Sequence, residues 1–382
     1  MKLMRYFLLG LVLAFWGGCQ NVTFPLTVQS ERLGVIDTAV VEEMGKGNFA
    51  GAVVLVGQGD KILYHKSFGN EVIEPFVEPM TDDTIFDMAS VSKPVGTATS
   101  ILILWDQGKI DLEDKVGEYL PEFAVKGKEE VRLKHLLTHT SGLPAYTNAA
   151  ELKKQYGERC ADKVIEKICS FEAMNEPGET YRYSCLGYIT LAKIVEVVSG
   201  QTIDRFAQEN IFKPLKMKHT TYNPPPAWEK DIAATEIFDG ELLRGFVHDP
   251  LAQLNGGISG NAGLFSNADD LSIYCRMVLN GGTYKGVRIL SPEAVQLLTR
   301  PQEMNRSYGF GFTTSYSWVK DEDAVEQSIS HLGYTGTAVV CDPMNDIYLI
   351  ILTNRVHPHD KGDIGSLRRR VAEIIAQALV EN

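Results

Sequence analysis

The sequence has few basic residues relative to acidic ones: 37 lysines and arginines stand against 49 aspartates and glutamates, and the formal net charge is −12. A protein that binds nucleic acid normally carries a basic patch or stripe. The densest basic cluster, Arg368–Arg370, follows an amphipathic helical pattern and is interpreted as a solvated helix face. The composition therefore predicts a globular protein that does not bind nucleic acid.

Cysteine and histidine are also sparse, with six and eight residues, and their spacing does not match a metal site. His357–Asp360 has metal-binding residue types, but it lies between a predicted strand and a predicted helix and is interpreted as a loop. His135 and His139 lack an acidic third ligand at a matching spacing and are interpreted as structural. We therefore expect no metal and no organic cofactor. The cysteines interpreted as small buried apolar residues, without a required disulfide, are Cys160, Cys169, Cys185, Cys275 and Cys341.

Long apolar runs are scarce, and the run Tyr6–Trp16 is too short to span a bilayer comfortably. A short basic segment precedes it and Gly17-Gly18-Cys19 follows, which is the layout of a secretory signal. The two small residues before the cysteine resemble a bacterial lipobox. We expect residues 1–18 to be a signal peptide, Cys19 to carry a lipid anchor and residues 19–33 to be a polar tether. The protein would then reside in the bacterial cell envelope, on its periplasmic or outer face; secretion without a lipid is the alternative.

Regular periodicity begins at Gly34, and residues 34–382 are predicted to form one domain. Strand patterns occupy both ends of this domain, and a mainly helical insertion covers about residues 110–245. We therefore expect one antiparallel sheet built from both ends of the chain, with a cleft between the sheet and the insertion. The elements that carry this α+β prediction are a helix over 36–44, a hairpin over 51–65, a helix over 268–279, strands over 308–314, 328–332, 337–342 and 347–353, and a helix over 364–380.

The segment Ser90-Val91-Ser92-Lys93 lies where an extended apolar run turns into a helical pattern. Residues three apart share one face of a helix, so the hydroxyl of Ser90 and the amine of Lys93 can meet. A serine hydroxyl needs a proton acceptor before it becomes a good nucleophile. Burial lowers the pKa of a lysine and would allow Lys93 to be that acceptor. The alternative is an N-cap serine followed by a solvated lysine.

Two other serine motifs are rejected on geometry. Ser317–Lys320 repeats the Ser-x-x-Lys spacing, but it lies in a strand pattern, where residues three apart point to opposite faces. Gly257–Asn261 resembles a Gly-x-Ser-x-Gly nucleophile elbow, but Asn261 replaces the last glycine, which disfavours an α/β-hydrolase.

Two further segments, Tyr183-Ser184-Cys185 and His331–Thr337, complete a pattern with Ser90–Lys93. Together these segments resemble the three-part signature of the serine β-lactamase and penicillin-binding protein superfamily. The resemblance is closest to its class C β-lactamase, esterase and D-aminopeptidase-like branch, and it implies a β-lactamase/transpeptidase-like fold. Supporting stretches in family order are Leu136–Leu143, Ala262–Ser266 and Leu352–Arg355.

The resemblance implies a catalytic role for three side chains. Ser90 would attack a carbonyl group, and Lys93 would accept its proton, alone or together with Tyr183. Tyr183 would then protonate the leaving group, and the family register favours it over Tyr181. The N–H groups of Ser90 and Tyr334 would form the oxyanion hole.

Five residues would line the substrate site. His331 stands where many relatives carry lysine, and Cys185 stands where they carry an asparagine amide. A thiol forms weaker hydrogen bonds than an amide, which puts efficient β-lactam hydrolysis in doubt. The full set of expected substrate-binding residues is His331, Gly333, Tyr334, Cys185 and Asn354.

The sequence therefore predicts an exported serine hydrolase that cleaves an amide or an ester through an acyl-enzyme on Ser90. The expected substrates are peptidoglycan-derived peptides, with the protein acting as a D-alanyl peptidase or as a muropeptide amidase. A carboxylesterase of broad specificity is the alternative within the enzyme class. A β-lactam-binding module without catalytic activity is the alternative outside it.

Overall fold

A computed structural model describes residues 26–302, 309–316 and 328–380 of the chain. The strand Gly51–Gln58 is apolar along most of its length because both of its faces are covered. Val53 and Leu55 pack into a large helical core on one side, whereas Val54 and Val56 pack into a second core on the other. This alternation is the two-residue period of a strand buried on both faces.

The strand Gly51–Gln58 lies within a seven-stranded antiparallel sheet, counted over the described residues, that draws on both ends of the domain. This confirms the antiparallel sheet predicted from the sequence. Its strands in spatial order are Thr313–Tyr316, Ser328–Leu332, Ala338–Asp342, Ile347–Thr353, Gly51–Gln58, Lys61–Val72 and Glu78–Pro79. The shorter strand groups are Thr27–Val28 with Leu379–Val380, Phe86–Asp87 with Leu264–Ser266 and Thr221–Tyr222, Glu236–Phe238 with Glu241–Leu243, and Thr283–Tyr284 with Val287–Arg288.

Helices cover both faces of the sheet. The helices Val35–Gly45 and Gly365–Ala378 pack on the face of Val54, and the insertion packs on the other. The remaining α-helices are Thr99–Asp106, Val116–Tyr119, Leu133–Leu137, Ala149–Tyr156, Ala161–Ser170, Cys185–Ser199, Ile203–Ala207, Lys213–Leu215, Pro250–Leu254, Ala268–Leu279 and Pro292–Thr299. The 3-10 helices are Ser30–Arg32, Ala89–Val91, Pro121–Phe123 and Pro226–Asp231, and the π-helices are Lys93–Ala98 and Gln208–Phe212.

The expected tether is wrong over residues 26–33. Thr27–Val28 pairs with the C-terminal strand Leu379–Val380, and Leu33 is fully buried in the core beside the helix Gly365–Ala378. The polar composition of this segment concealed two apolar anchors. Cys19 and the second Ser-x-x-Lys segment, residues 317–320, lie outside the described residues. Among the residues that are described, none of the helices combines the length and apolar character needed to cross a membrane.

Four histidines are almost completely buried, and burial is the largest cause that lowers the pKa of each. The pKa is lowered to about 4 for His135 and His357, to about 3 for His331, and well below the ordinary range for His139. Three of these rings use one nitrogen to accept a backbone N–H group. The donors are Arg132 to His135 at 3.1 Å, Ser184 to His139 at 3.1 Å, and Ile73 to His357 at 3.0 Å. These rings are therefore bound in their neutral form.

We expect these histidines to weaken the fold in acid. As the pH falls below about 6.5, these histidines become protonated in the unfolded chain but stay neutral in the folded protein. The free energy of unfolding therefore decreases until about pH 4. Each residue should contribute a slope of about 1 kcal/mol per pH unit in that window. The measurement is urea unfolding at several pH values for the wild type and for single glutamine variants, whose amide oxygen can still accept the backbone N–H.

The slope difference between wild type and variant isolates each histidine. A comparison with a variant is needed because burial raises the pKa of Glu71, Asp87 and Asp270. A carboxyl group whose pKa is raised in the folded protein makes the free energy of unfolding increase as the pH falls. His357→Gln should lower the slope of the free energy of unfolding against pH. Equal slopes for His357→Gln and the wild type would contradict the interpretation.

Candidate active site

Ser90 lies on a tight turn between the strand Phe86–Asp87 and a helix. Ala89, directly before it, has a φ of +45°, a left-handed conformation that costs an alanine roughly 1–2 kcal/mol. The carboxylate of Asp87 holds this conformation by accepting the Ala89 N–H at 2.8 Å. A 3-10 turn over Ala89–Val91 and a π-helix over Lys93–Ala98 then lead into the helix Thr99–Asp106. Strain of this kind is concentrated at functional sites.

Lys93 is fully buried and its amine contacts Ser90. The Nζ donates a hydrogen bond to Ser90 Oγ at 2.9 Å and another to the carbonyl of Asn261 at 2.9 Å. It also lies 5.0 Å from the centroid of the Tyr183 ring. The structure thus brings together the serine and lysine predicted from the sequence, and the alternative of a solvated lysine is wrong.

The expected direction of the Lys93 pKa is also wrong. Burial is the largest single influence and lowers it, as the sequence predicted. Cys185 and Tyr183 act in the opposite direction through their charges, Tyr183 also through a hydrogen bond, and with Asp249 they raise the net pKa of Lys93 above its ordinary value. Cys185 and Tyr183 carry negative charge only when deprotonated. The raised pKa of Lys93 therefore favours its ammonium form over a neutral amine.

Tyr183, and not Tyr181, is the tyrosine beside Lys93. Tyr181 is 47% exposed and meets His139 edge-on at 6.1 Å, whereas the ring of Tyr183 lies 4.4 Å from that of His139. His139 also accepts the N–H of Ser184 and, through its carbonyl, accepts the N–H of Arg182 at 2.8 Å. Backbone and ring of His139 thus hold the residues on both sides of Tyr183. The sequence predicts a structural role for His139. The feature that could have indicated its place beside Tyr183 is its position within the supporting stretch Leu136–Leu143.

His331 and Cys185 complete the surroundings of Tyr183. The ring of His331 lies 6.4 Å from that of Tyr183, and its Nδ1 donates to the carbonyl of Leu332 at 3.1 Å. Burial, with Lys93 as the second cause, lowers the pKa of His331 to about 3, so the imidazole is neutral at physiological pH. Cys185 is half-buried, has a free thiol and begins the helix Cys185–Ser199.

The loop that contains Tyr334 is fastened to the chain just before Ser90. The hydroxyl of Thr335 donates to the carbonyl of Asp87 at 2.7 Å, and that of Thr337 donates to the carbonyl of Met88 at 3.0 Å. A Cβ on Gly333 would lie 2.0 Å from Thr337 Oγ1 and 2.6 Å from the Met88 carbonyl. Gly333 therefore allows this loop to approach the Ser90 segment, where the sequence had led us to expect an approach to substrate.

The N–H groups of Ser90 and Tyr334 are the expected oxyanion donors. Among the backbone hydrogen bonds of the described turns and loops, none uses the N–H of Tyr334. The two threonine contacts described above fix the separation of the segments that carry them. An N–H pair held in this way can stabilise negative charge that develops on a carbonyl oxygen.

Asn354 does not line the substrate site. Its Oδ1 accepts the N–H of Gly51 at 2.8 Å, and its Nδ2 donates to the carbonyls of Asn70 at 3.2 Å and Glu71 at 2.9 Å. The side chain is buried and joins three backbone segments at the end of the sheet. The prediction that Asn354 binds substrate is therefore wrong, and its role is structural.

The chain is similar to known proteins along most of its length. A family model described as Beta-lactamase matches residues 36–373. The chain is 32% identical over 363 residues to N-acetylmuramyl-L-alanine amidase of Bacillus subtilis (strain 168), covering 86% of this chain and 82% of that protein. It is 32% identical over 362 residues to a protein of Escherichia coli (strain K12) named as a putative D-alanyl-D-alanine carboxypeptidase, covering 86% of this chain and 83% of that protein. Among solved structures, EstCE1, a hydrolase with promiscuous acyltransferase activity, superposes with a TM-score of 0.71 at 21% identity, covering 91% of this chain and 98% of that one.

Proposed function

We propose that this chain, which belongs to the β-lactamase family of serine hydrolases, cleaves an amide or ester bond of peptidoglycan-derived peptides through an acyl-enzyme on Ser90. The observation that carries the proposal is the 2.9 Å contact between the buried Lys93 Nζ and Ser90 Oγ, beside Tyr183. A nucleophile within hydrogen-bond reach of an activating group, itself held by a third, is the arrangement of covalent catalysis.

The first half of the reaction forms the acyl-enzyme. Ser90 Oγ attacks the carbonyl carbon while its proton passes to the phenolate of Tyr183, which the ammonium of Lys93 stabilises. The oxygen of the tetrahedral intermediate is bound by the N–H groups of Ser90 and Tyr334. Tyr183 then donates the proton to the leaving amine or alcohol as the scissile bond breaks.

Water completes the cycle. It adds to the acyl carbon and gives its proton to Tyr183, and the bond from the acyl carbon to Ser90 Oγ breaks. Tyr183 passes this proton to Ser90 Oγ, and the product leaves as a carboxylic acid that keeps the oxygen of the water. The raised pKa of Lys93 supports Tyr183 as the proton carrier, because Lys93 is already protonated.

The substrate class is supported by the names of two relatives, an N-acetylmuramyl-L-alanine amidase and a putative D-alanyl-D-alanine carboxypeptidase. The neutral imidazole of His331 donates its one N–H to the Leu332 carbonyl, so its Nε2 would give a substrate carboxylate neither a hydrogen bond nor the ion pair that a lysine would give. Both muropeptide amidase and D-alanyl peptidase activity fit this site. We also propose export to the cell envelope with a lipid anchor at Cys19, which the mass of the mature N-terminal peptide tests.

The test is to treat the protein with a fluorophosphonate and, in parallel, with a penicillin, and then to map the adducts by mass spectrometry. We expect one adduct, on Ser90. A penicillin adduct that persists would favour a peptidase-like site over a β-lactamase. Rates on paired amide and ester substrates with the same acyl group would separate an amidase from a carboxylesterase.

Ser92 supplies the matched control for labelling. It is fully buried, and its hydroxyl accepts the N–H of Leu264 at 3.1 Å. Ser92→Ala should therefore still be labelled on Ser90. If neither reagent modifies the wild type, the acyl-enzyme mechanism fails and a β-lactam-binding module without catalysis becomes the better interpretation.

A further inference from the structure

Two sequence segments that the catalytic proposal does not use meet at Tyr334. Arg355 ends the Leu352–Arg355 motif, and Asp360 ends the His357–Asp360 segment that has metal-binding residue types. Within the described residues, His357–Asp360 belongs to no group of metal-ligating side chains. Its aspartate instead contacts Tyr334, whose N–H is one of the two proposed oxyanion donors.

Arg355 contacts Tyr334 through a hydrogen bond and through a cation–π interaction. Its Nε donates to the carbonyl of Tyr334 at 2.7 Å, and its guanidinium carbon lies 4.5 Å from the centroid of the Tyr334 ring. Its backbone N–H donates to the carbonyl of Thr335 at 3.2 Å. One residue therefore holds the ring and both carbonyls at the tip of this loop.

Asp360 joins the same two residues from the other side. Its carboxylate accepts the phenolic hydroxyl of Tyr334 and the Nη1 of Arg355, the latter at 2.8 Å. That nitrogen also donates to the carbonyl of Gly362 at 2.8 Å, which ties the group to the following segment. The bond to Asp360 raises the pKa of the Tyr334 phenol, so the hydroxyl remains a donor at physiological pH.

The backbone of the loop is shaped to receive Arg355. Gly336 has a φ of +104°, and a Cβ there would lie 2.1 Å from Thr353 Oγ1 and 3.0 Å from Arg355 Cγ. The aliphatic part of Arg355 thus packs directly against Gly336. Tyr334 itself is 56% exposed, so these contacts, together with stacking of its ring on His248 at 5.7 Å, fix its position more than burial does.

We propose that Arg355 and Asp360 are positioning residues that hold the Tyr334 N–H in line for the oxyanion. This inference rests on the proposed function, since it assigns the N–H of Tyr334 to the oxyanion hole. The two threonine hydroxyls fix the base of the loop, and the Arg355–Asp360 pair fixes its tip. Because the benefit of an oxyanion donor depends on preorganised geometry, loosening the tip weakens binding of the transition state more than binding of the substrate.

The experiment measures hydrolysis of a p-nitrophenyl ester and inhibition by a boronic acid, which forms a tetrahedral adduct with Ser90, in wild type and in Arg355→Gln. We expect kcat/KM of Arg355→Gln to fall by about 10-fold to 100-fold, with KM within about threefold of the wild type. This decrease does not exceed the decrease in rate that follows complete removal of one oxyanion donor. Affinity for the boronic acid should fall by the same factor as kcat/KM. Tyr334→Phe, which removes only the bond to Asp360, should show a smaller loss of both, roughly threefold to tenfold.

Arg276 provides a matched control. Its guanidinium lies 5.4 Å from the centroid of the Tyr348 ring, and its Nε donates to that hydroxyl at 2.8 Å, so it repeats the arginine–tyrosine chemistry in another part of the fold. Arg276→Gln should match the wild type in both assays. Arg355→Lys should not restore activity, because a lysine keeps the charge but cannot make the planar set of contacts.

The outcomes separate this inference from the proposed function. If the wild type neither binds the boronic acid nor is labelled on Ser90, the proposed function fails. If the wild type does both and folded Arg355→Gln and Tyr334→Phe equal it, the proposed function stands and the positioning role is overturned. A third outcome would also overturn the positioning role. In it, kcat/KM of Arg355→Gln falls only in proportion to its folded fraction, and Tyr334→Phe has wild-type activity; Arg355 would then be structural.

Discussion

Replacing Lys93 with methionine is expected to abolish acylation of Ser90 and leave the protein folded. The amine is the group in contact with the nucleophile, and residues that act as a unit lose nearly all of their effect when one is removed. We expect the rate of Ser90 labelling to fall by at least about 10³-fold, close to the loss in Ser90→Ala. Labelling kinetics with a fluorophosphonate, followed by intact mass, measure this directly.

The fold should survive because methionine has a similar length and removes a buried charge. Lys93→Met removes the desolvation cost of a buried ammonium group, which offsets the loss of the single hydrogen bond to the Asn261 carbonyl. The free energy of unfolding in urea should therefore stay within about 1 kcal/mol of the wild type or rise. Acylation at more than a tenth of the wild-type rate in folded Lys93→Met would show that Lys93 does not activate Ser90.

Lys128 offers a control with the same burial and no place in the site. It is fully buried, and its amine donates to the carbonyls of Val125 at 2.9 Å, Cys169 at 3.1 Å and Phe171. Lys128→Met should leave these carbonyls without a donor and lower the free energy of unfolding by about 1–3 kcal/mol. The folded fraction should be labelled at the wild-type rate. Lys93→Met should thus lose activity and keep its stability, whereas Lys128→Met should lose stability and keep its activity.

The sheet could be predicted from the sequence because its strands have strong local signals. Gly51–Gln58 and Ile347–Thr353 are apolar and rich in β-branched residues, and both are buried on two faces. These two strands lie near opposite ends of the sequence and pair with each other in the sheet. Their pairing could be predicted because strands that are apolar on both faces lie in the interior of a sheet. The tether was misassigned because Val28 and Leu33 are isolated apolar residues, and only the tertiary structure shows what they pack against.

At the candidate site, local spacing was sufficient for Ser90 and Lys93 but not for their surroundings. The carbonyl of Asn261 that accepts from Lys93 belongs to a residue 168 positions away, and no sequence period indicates such a contact. The net rise in the Lys93 pKa depends on Cys185 and Tyr183 lying beside it, so burial alone gave the wrong direction. Asn354 was misassigned because motif position does not tell whether an amide faces substrate or backbone.

Replacing Tyr183 with phenylalanine is expected to decide which group accepts the proton of Ser90. The variant keeps the ring that lies 4.4 Å from His139 and 5.0 Å from the Lys93 amine, and it removes only the hydroxyl. If the phenolate is the acceptor, kcat/KM should fall by about 10²-fold to 10⁴-fold. Tyr181→Phe, at an exposed position beside the same histidine, should stay within about twofold of the wild type, as exposed substitutions away from the chemistry usually do.

The pH dependence of the residual activity provides a second readout. Cys185 and Tyr183 both raise the pKa of Lys93, so removal of the Tyr183 hydroxyl should lower that pKa relative to the wild type. A neutral Lys93 amine then becomes available as the acceptor. The remaining activity of Tyr183→Phe should therefore increase with pH as the Lys93 ammonium group loses its proton. If Tyr183→Phe instead retains kcat/KM within about threefold across the pH range, Lys93 alone activates Ser90 and the role proposed for Tyr183 is wrong.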